Sequence, residues 1–130
     1  MPYLRVRIAS ANTTITSQQI ATNLTQLAVD VLGKDAAVAA VDVKFTDPSD
    51  WFVGGKSLTQ LNQTSFYVEI KITEATNTRD QKAAFVKQVF DTFAKLYGNV
   101  TPTSYVVLHD VASDAWGYGG KTQEYRYIAQ

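Results

Sequence analysis

Trp51-Phe52-Val53-Gly54-Gly55-Lys56 returns later in the chain as Trp116-Gly117-Tyr118-Gly119-Gly120-Lys121, 65 residues further on (116 − 51). Gly33 and Gly98, each closing a helical pattern, are separated by the same interval. Two copies of that period account for all 130 residues, so the chain reads as one small unit duplicated and fused. The halves are 1–65 and 66–130, together forming a single domain. Each Gly-Gly pair supplies the positive φ values of a two-residue hairpin turn, which makes both segments short hairpins.

Working outward, each half reads strand, helix, strand. From Tyr3 to Ala9, Leu4, Val6 and Ile8 alternate with Arg5 and Arg7, the period of a strand with one buried face. Thr16 stands three residues before Gln19, the spacing of a capping box that satisfies free amides at a helix start. Ile20, Leu24, Leu27 and Val31 then form an apolar helical stripe that stops at Gly33. Val41 to Phe45 is the closing strand. The second half repeats the order, with Phe66 to Thr73 as strand and Thr78 and Gln81 as capping box. Val86, Val89, Phe93 and Leu96 are its stripe, Gly98 its stop and Tyr105 to His109 its closing strand.

A helix of this length between two strands makes a right-handed crossover that leaves the strands parallel. Two such β-α-β units give an α+β fold, a four-stranded sheet with both helices on one face. The opposite face is expected to be apolar and to need cover, most economically by self-association. Arg5 and Arg7 point to that side, as interface or surface charges.

Composition excludes several classes of function. Twelve Lys and Arg balance twelve Asp and Glu, which removes the cationic surface that nucleic acid or an anionic membrane requires. There is no cysteine, hence no disulfide, thiolate metal site or catalytic thiol. His109 is the single histidine, too few for most His-based metal sites; it reads as a satisfied strand-end residue. No apolar run has the length of a membrane span, and no basic-then-apolar leader opens the chain, so a cytoplasmic location is expected. Nucleophile elbow, P-loop and dinucleotide fingerprint are all missing, and the Gly-Gly-Lys segments have no following helix signal that would make them phosphate loops.

What chemistry remains centres on Pro2. A small residue at position two permits removal of Met1, which would leave Pro2 with a free secondary amine. Burial against apolar groups lowers an amine's pKa by disfavouring the ammonium form. Such an amine is neutral near pH 7 and suited to moving a proton beside a carbonyl.

Met1-Pro2-Tyr3-Leu4-Arg5-Val6-Arg7-Ile8, the paired units and the closing Trp-x-x-Gly-Gly-Lys hairpins together resemble the tautomerase superfamily over essentially the whole chain. Each half is similar to the short 4-oxalocrotonate tautomerase subunit, and the whole to the longer, macrophage migration inhibitory factor-like members. The resemblance implies a homotrimer and a cofactor-independent tautomerase in which Pro2 is the catalytic base on a small 2-oxo acid or unsaturated oxo acid. It implies one site per chain, since only one proline is amino-terminal. Lys34 would balance the substrate carboxylate, Asn77 donate to its carbonyl oxygen and Ile70 offer a backbone contact. Tyr105 and Tyr118 would line the pocket, and Trp116 would lower the dielectric beside the proline. No metal is implied. The family's substrate-binding arginines have no counterpart in Thr73-Glu74-Ala75-Thr76-Asn77 or Ala9-Ser10-Ala11-Asn12, and Asp42 and Tyr105 stand at the closing-strand arginine position. Dehalogenation would need a carboxylate where Tyr118 stands. Two alternatives stay open: a non-catalytic, oligomeric binding member, and a proline-based decarboxylase or hydratase.

Overall fold

The computed structural model describes residues 1–128. Leu4, Val6 and Ile8 are fully buried and lie on β1 (Tyr3–Ala9), with Arg5 exposed between them, as a strand with one covered face requires. Helix α1 (Ser17–Leu32) starts at the Thr16 capping box and ends where Gly33 takes φ 68°, a left-handed cap. A 3₁₀ turn leads into β2 (Ala40–Thr46), which runs parallel to β1 with Leu4 opposite Val41. Then come a second 3₁₀ turn, a hairpin of β3 (Phe52–Val53) and β4 (Lys56–Ser57), and the one-turn helix α2 (Leu58–Leu61). Gly54 at φ 60° and Gly55 at φ 78° make the hairpin turn.

The second half follows the same plan: β5 (Ser65–Thr73), α3 (Arg79–Tyr97), β6 (Tyr105–Val111), a 3₁₀ turn, the hairpin of β7 (Gly117–Tyr118) and β8 (Lys121–Thr122), and α4 (Gln123–Ile128). The sheet order is β2-β1-β5-β6, with parallel pairs outside and the antiparallel pair β1–β5 at the centre. Side chains of α1 and α3 share one core with the inward faces of β1 and β5, which puts both helices on the same side. The Phe66 and Phe93 rings stack there with centroids 4.3 Å apart. Among the described residues no helix is long and apolar enough to cross a membrane.

The structure adds one detail, the longer α3, and departs from the expectations in two others. The buried helical positions are Ile20, Leu24, Ala28 and Leu32 in α1 and Phe85, Val89, Phe93 and Tyr97 in α3. Each stripe is therefore turned slightly from the expected one, and Val86 is exposed. Helix α3 is 19 residues against 16 in α1, and its capping box sits only 62 residues after the first (78 − 16), so the added turn is at its start. The helix-free face of the sheet is not apolar. Arg5 pairs in register with both Asp42 and Glu69, Tyr3 Oη donates to Asp42 Oδ2 at 2.9 Å, and His109 Nε2 lies 3.2 Å from Glu69 Oε1. Alternation carried apolar residues to the helix side so consistently that rows of opposite charge were left on the other.

Candidate active site

The antiparallel centre of the sheet decides what surrounds Pro2. Where β1 begins, β2 also begins while β5 and β6 end. That end collects the α1–β2 link with Lys34 and Asp35, the turn after β5, and everything that follows β6. The first hairpin, which follows β2, lies at the other end. Of the two similar hairpins, only the second reaches the amino terminus.

Pro2 is buried, and its carbonyl accepts a hydrogen bond from the Ala40 N–H at 3.2 Å, extending the β1–β2 pairing by one residue. The Trp116 indole Nε1 donates to the Met1 carbonyl, the group acylating the Pro2 nitrogen, at 3.0 Å. Beside it opens a cleft of about 490 Å³ lined by Met1, Asp35, Val38, Lys121, Gln123, Tyr125, Arg126 and Tyr127. The Met1 amino group is held below its ordinary pKa, first by burial and then by the positive charges of Lys34 and Arg126, with Asp35 opposing. Burial also lowers the Lys34 ammonium, opposed by Asp110.

Four of the residues expected from the sequence converge here. Pro2 and Trp116 meet through the Met1 carbonyl. Lys34 stands within electrostatic reach of the amino group and donates from Nζ to Thr76 Oγ1 at 2.9 Å. Tyr118 carries the Arg126 guanidinium over its ring at 4.8 Å. Three others are placed differently. Asn77 lies at this end, but its amide hydrogens go to the Leu32 carbonyl at 2.8 Å and Gln81 Oε1 at 3.1 Å, tying the end of α1 to the turn before α3. Ile70 is fully buried in the core, two strand positions inward of Ile72, and lines none of the cleft. Tyr105 opens β6, so within one chain it sits at the opposite end of the sheet from Pro2, 59% exposed.

Sequence reasoning missed Gln123 and Arg126. It sought arginines in the turns and the closing strand, whereas the cleft takes its guanidinium from α4. The 65-residue period held the signal: Leu58 becomes Gln123 and Leu61 becomes Arg126 in the copy beside Pro2. A larger cleft of about 640 Å³ at the other end is lined by Ile8, Asn12, Phe45 and Asp47 among others, but its polar groups are largely occupied: Asn12 Oδ1 accepts from Thr14, and Asp47 Oδ1 from Ser49. Among the described residues no group of three His, Asp or Glu side chains has metal-holding geometry.

Comparison with known proteins converges on one family. The family model described as "Tautomerase enzyme" matches residues 67–125. "Probable tautomerase K2" of Dickeya dadantii (strain 3937) is 34% identical over 64 residues, covering 48% of this chain and 96% of that protein. Among solved structures, Pt0534 inactivated by 2-oxo-3-pentynoate superposes with a TM-score of 0.82 at 16% identity, covering 95% of this chain and 98% of that one. A fused 4-OT symmetric trimer gives 0.79 at 20% identity over 94% and 96%. At these identities the two structures speak for the fold.

Proposed function

Because the chain belongs to the tautomerase family, we propose that it interconverts the enol and keto forms of a small 2-oxo acid or unsaturated oxo acid with Pro2, freed by loss of Met1, as the base. The observation that carries this reading is the Pro2 nitrogen itself. Pro2 is buried, and an indole N–H donates to the carbonyl that acylates its nitrogen. The neighbouring Met1 amino group is held below its ordinary pKa by burial and by Lys34 and Arg126, surroundings that Pro2 would inherit as the terminal amine.

In the ketonising direction the neutral Pro2 nitrogen takes the enol hydroxyl proton, and the O–H electron pair becomes the carbonyl π bond as the C=C pair moves to carbon. The resulting ammonium returns its proton to that carbon, so no atom is gained or lost. Lys34 balances the substrate's negative charge. The Trp116 indole N–H, relieved of the Met1 carbonyl, faces the space where a substrate carbonyl would lie, and its ring together with Tyr118 limits water. Asn77 serves the site indirectly, by fixing the turn that holds Thr76 against Lys34. The chain assembles as a homotrimer, and Tyr105 reaches the site of a neighbouring copy.

Ketonisation of phenylenolpyruvate tests the reading, with wild type beside Pro2→Ala. The expected result is a wild-type rate reduced at least a hundredfold in the variant, an intact mass lacking Met1, and covalent labelling of wild type but not Pro2→Ala by 2-oxo-3-pentynoate. A Pro2→Ala protein as active as wild type would remove the base. Absence of both turnover and labelling would leave a binding member of the family.

A further inference from the structure

The duplicated chain contains its own control for the cleft. In the first half the residue after the hairpin is Leu58, 1% exposed, whose N–H bonds to the Trp51 carbonyl at 2.9 Å. In the second half Gln123 holds the same place, 4% exposed, and its N–H bonds to the Trp116 carbonyl at 2.8 Å. The preceding caps correspond too: Ser57 accepts from the Gln60 N–H and Thr122 from the Tyr125 N–H. The backbone is repeated, and only the chemistry has changed. One turn on, half-buried Leu61 is replaced by half-buried Arg126.

Leaving a buried amide donor unpaired costs on the order of 1–3 kcal/mol, whereas leucine in this slot costs nothing of the kind. Yet Gln123 Nε2 has no hydrogen-bond partner among the described residues. Its Oε1 accepts from Arg126 Nη1 at 3.4 Å, a contact that directs the NH₂ away from the guanidinium. Both side chains line the cleft beside the amino terminus. Arg126 is braced on the Tyr118 ring, so its planar fork is held rather than swinging free. The charged side chains lining this cleft are Lys121 and Arg126 against Asp35.

We infer that Gln123 and Arg126 form the carboxylate-recognition pair of this cleft: Gln123 Nε2 and the Arg126 guanidinium donate to the two oxygens of the substrate's carboxylate and hold its adjacent carbonyl toward Pro2. The inference rests on the tautomerase reading in taking the ligand to be an oxo acid. The pair specifies an anionic end group for that substrate and supplies from a terminal helix what the turns and closing strands lack.

Equilibrium binding of phenylpyruvate and of its methyl ester, by titration calorimetry on the mature full-length chain, tests the pair without relying on turnover. Wild type is expected to bind the acid more tightly than the ester. Gln123→Leu restores the residue that the first half carries in this slot, and Arg126→Gln provides a second variant on a less buried side chain. Each is expected to reduce the acid-over-ester preference tenfold or more, through the acid alone. An indiscriminate wild type, variants that keep the preference, or an equal loss for both probes would overturn the inference. Labelling of Pro2 by 2-oxo-3-pentynoate, measured on the same proteins, separates the two failures. A labelled Pro2 with undiminished preference in the variants sinks the pair alone, and lost preference without labelling or turnover sinks the proline base alone.

Discussion

The Met1 amino group, set near Lys34 and Arg126, gives up its proton more readily than one in water, because burial and like charge both penalise the ammonium form. The Pro2 nitrogen would inherit these surroundings when Met1 leaves. Since the neutral amine is the base, kcat/KM is expected to rise with pH as the ammonium is lost, with a midpoint below the ordinary α-amino range of about 7.7–8.0. Lys34→Met removes one of the charges that lower that midpoint, so the rise is expected to move to higher pH. A pH profile of phenylenolpyruvate ketonisation reads this directly, and an unmoved midpoint would deny Lys34 any field at the amine. At this scale the sequence was informative where covalent position or a fixed motif set the outcome. Pro2 is adjacent to the terminus by definition, and Trp116 precedes a turn whose geometry two glycines dictate. Asn77 was legible as a residue near the site, but not its bonding. A side-chain amide takes whichever acceptors the fold brings closest, and those came from Leu32 and Gln81.

Helices and strands follow from local pattern, and their ends from identifiable caps. Thr16 and Thr78 each accept from the amide three residues on, while Gln19 and Gln81 return the bond, which is why both helix starts were readable. Which residues face inward was less so. Leucine and valine flank both helical stripes, and the choice between Leu27 and Ala28, or Leu96 and Tyr97, depends on how α1 and α3 press against each other over the sheet. The link from Leu32 to Asn77 belongs to this scale, because it joins the last turn of one helix to the entry of the other. Asn77→Ala frees the Leu32 carbonyl and is expected to cost about 1 kcal/mol of stability, a typical value for one hydrogen bond. Urea denaturation would show it as a lower midpoint, with KM for phenylenolpyruvate little changed. A large rise in KM at unchanged stability would instead make Asn77 a direct substrate donor.

The whole molecule is shaped by one choice: the two halves meet through antiparallel β1 and β5, which sends equivalent features to opposite ends of the sheet. By strand register Phe66 stands where Pro2 stands in the first half, and as a fully buried core ring it offers no amine. The same arrangement carries Tyr105 to the far end from Pro2, a separation invisible to a reading that aligned the halves without orienting them. The uncovered sheet face, with Arg5 between Asp42 and Glu69 and Tyr105 exposed at the edge strand, offers both charges and aromatic surface to another copy. Opposite charges in rows favour association in a defined register more than plain apolar contact would. The proposed homotrimer is expected to sediment at three times the 14.3 kDa chain mass. If Tyr105 completes the site of a neighbour, Pro2→Ala and Tyr105→Ala chains will each be impaired alone. Unfolded and refolded together, they will form mixed trimers in which some sites carry an intact proline from one chain and an intact tyrosine from the other. Recovered ketonisation in the mixture, beyond the sum of the two parents, is the expected outcome. A mixture no more active than its parents would confine the site to a single chain, and a sedimenting mass of one chain would leave Tyr105 with no neighbour to serve.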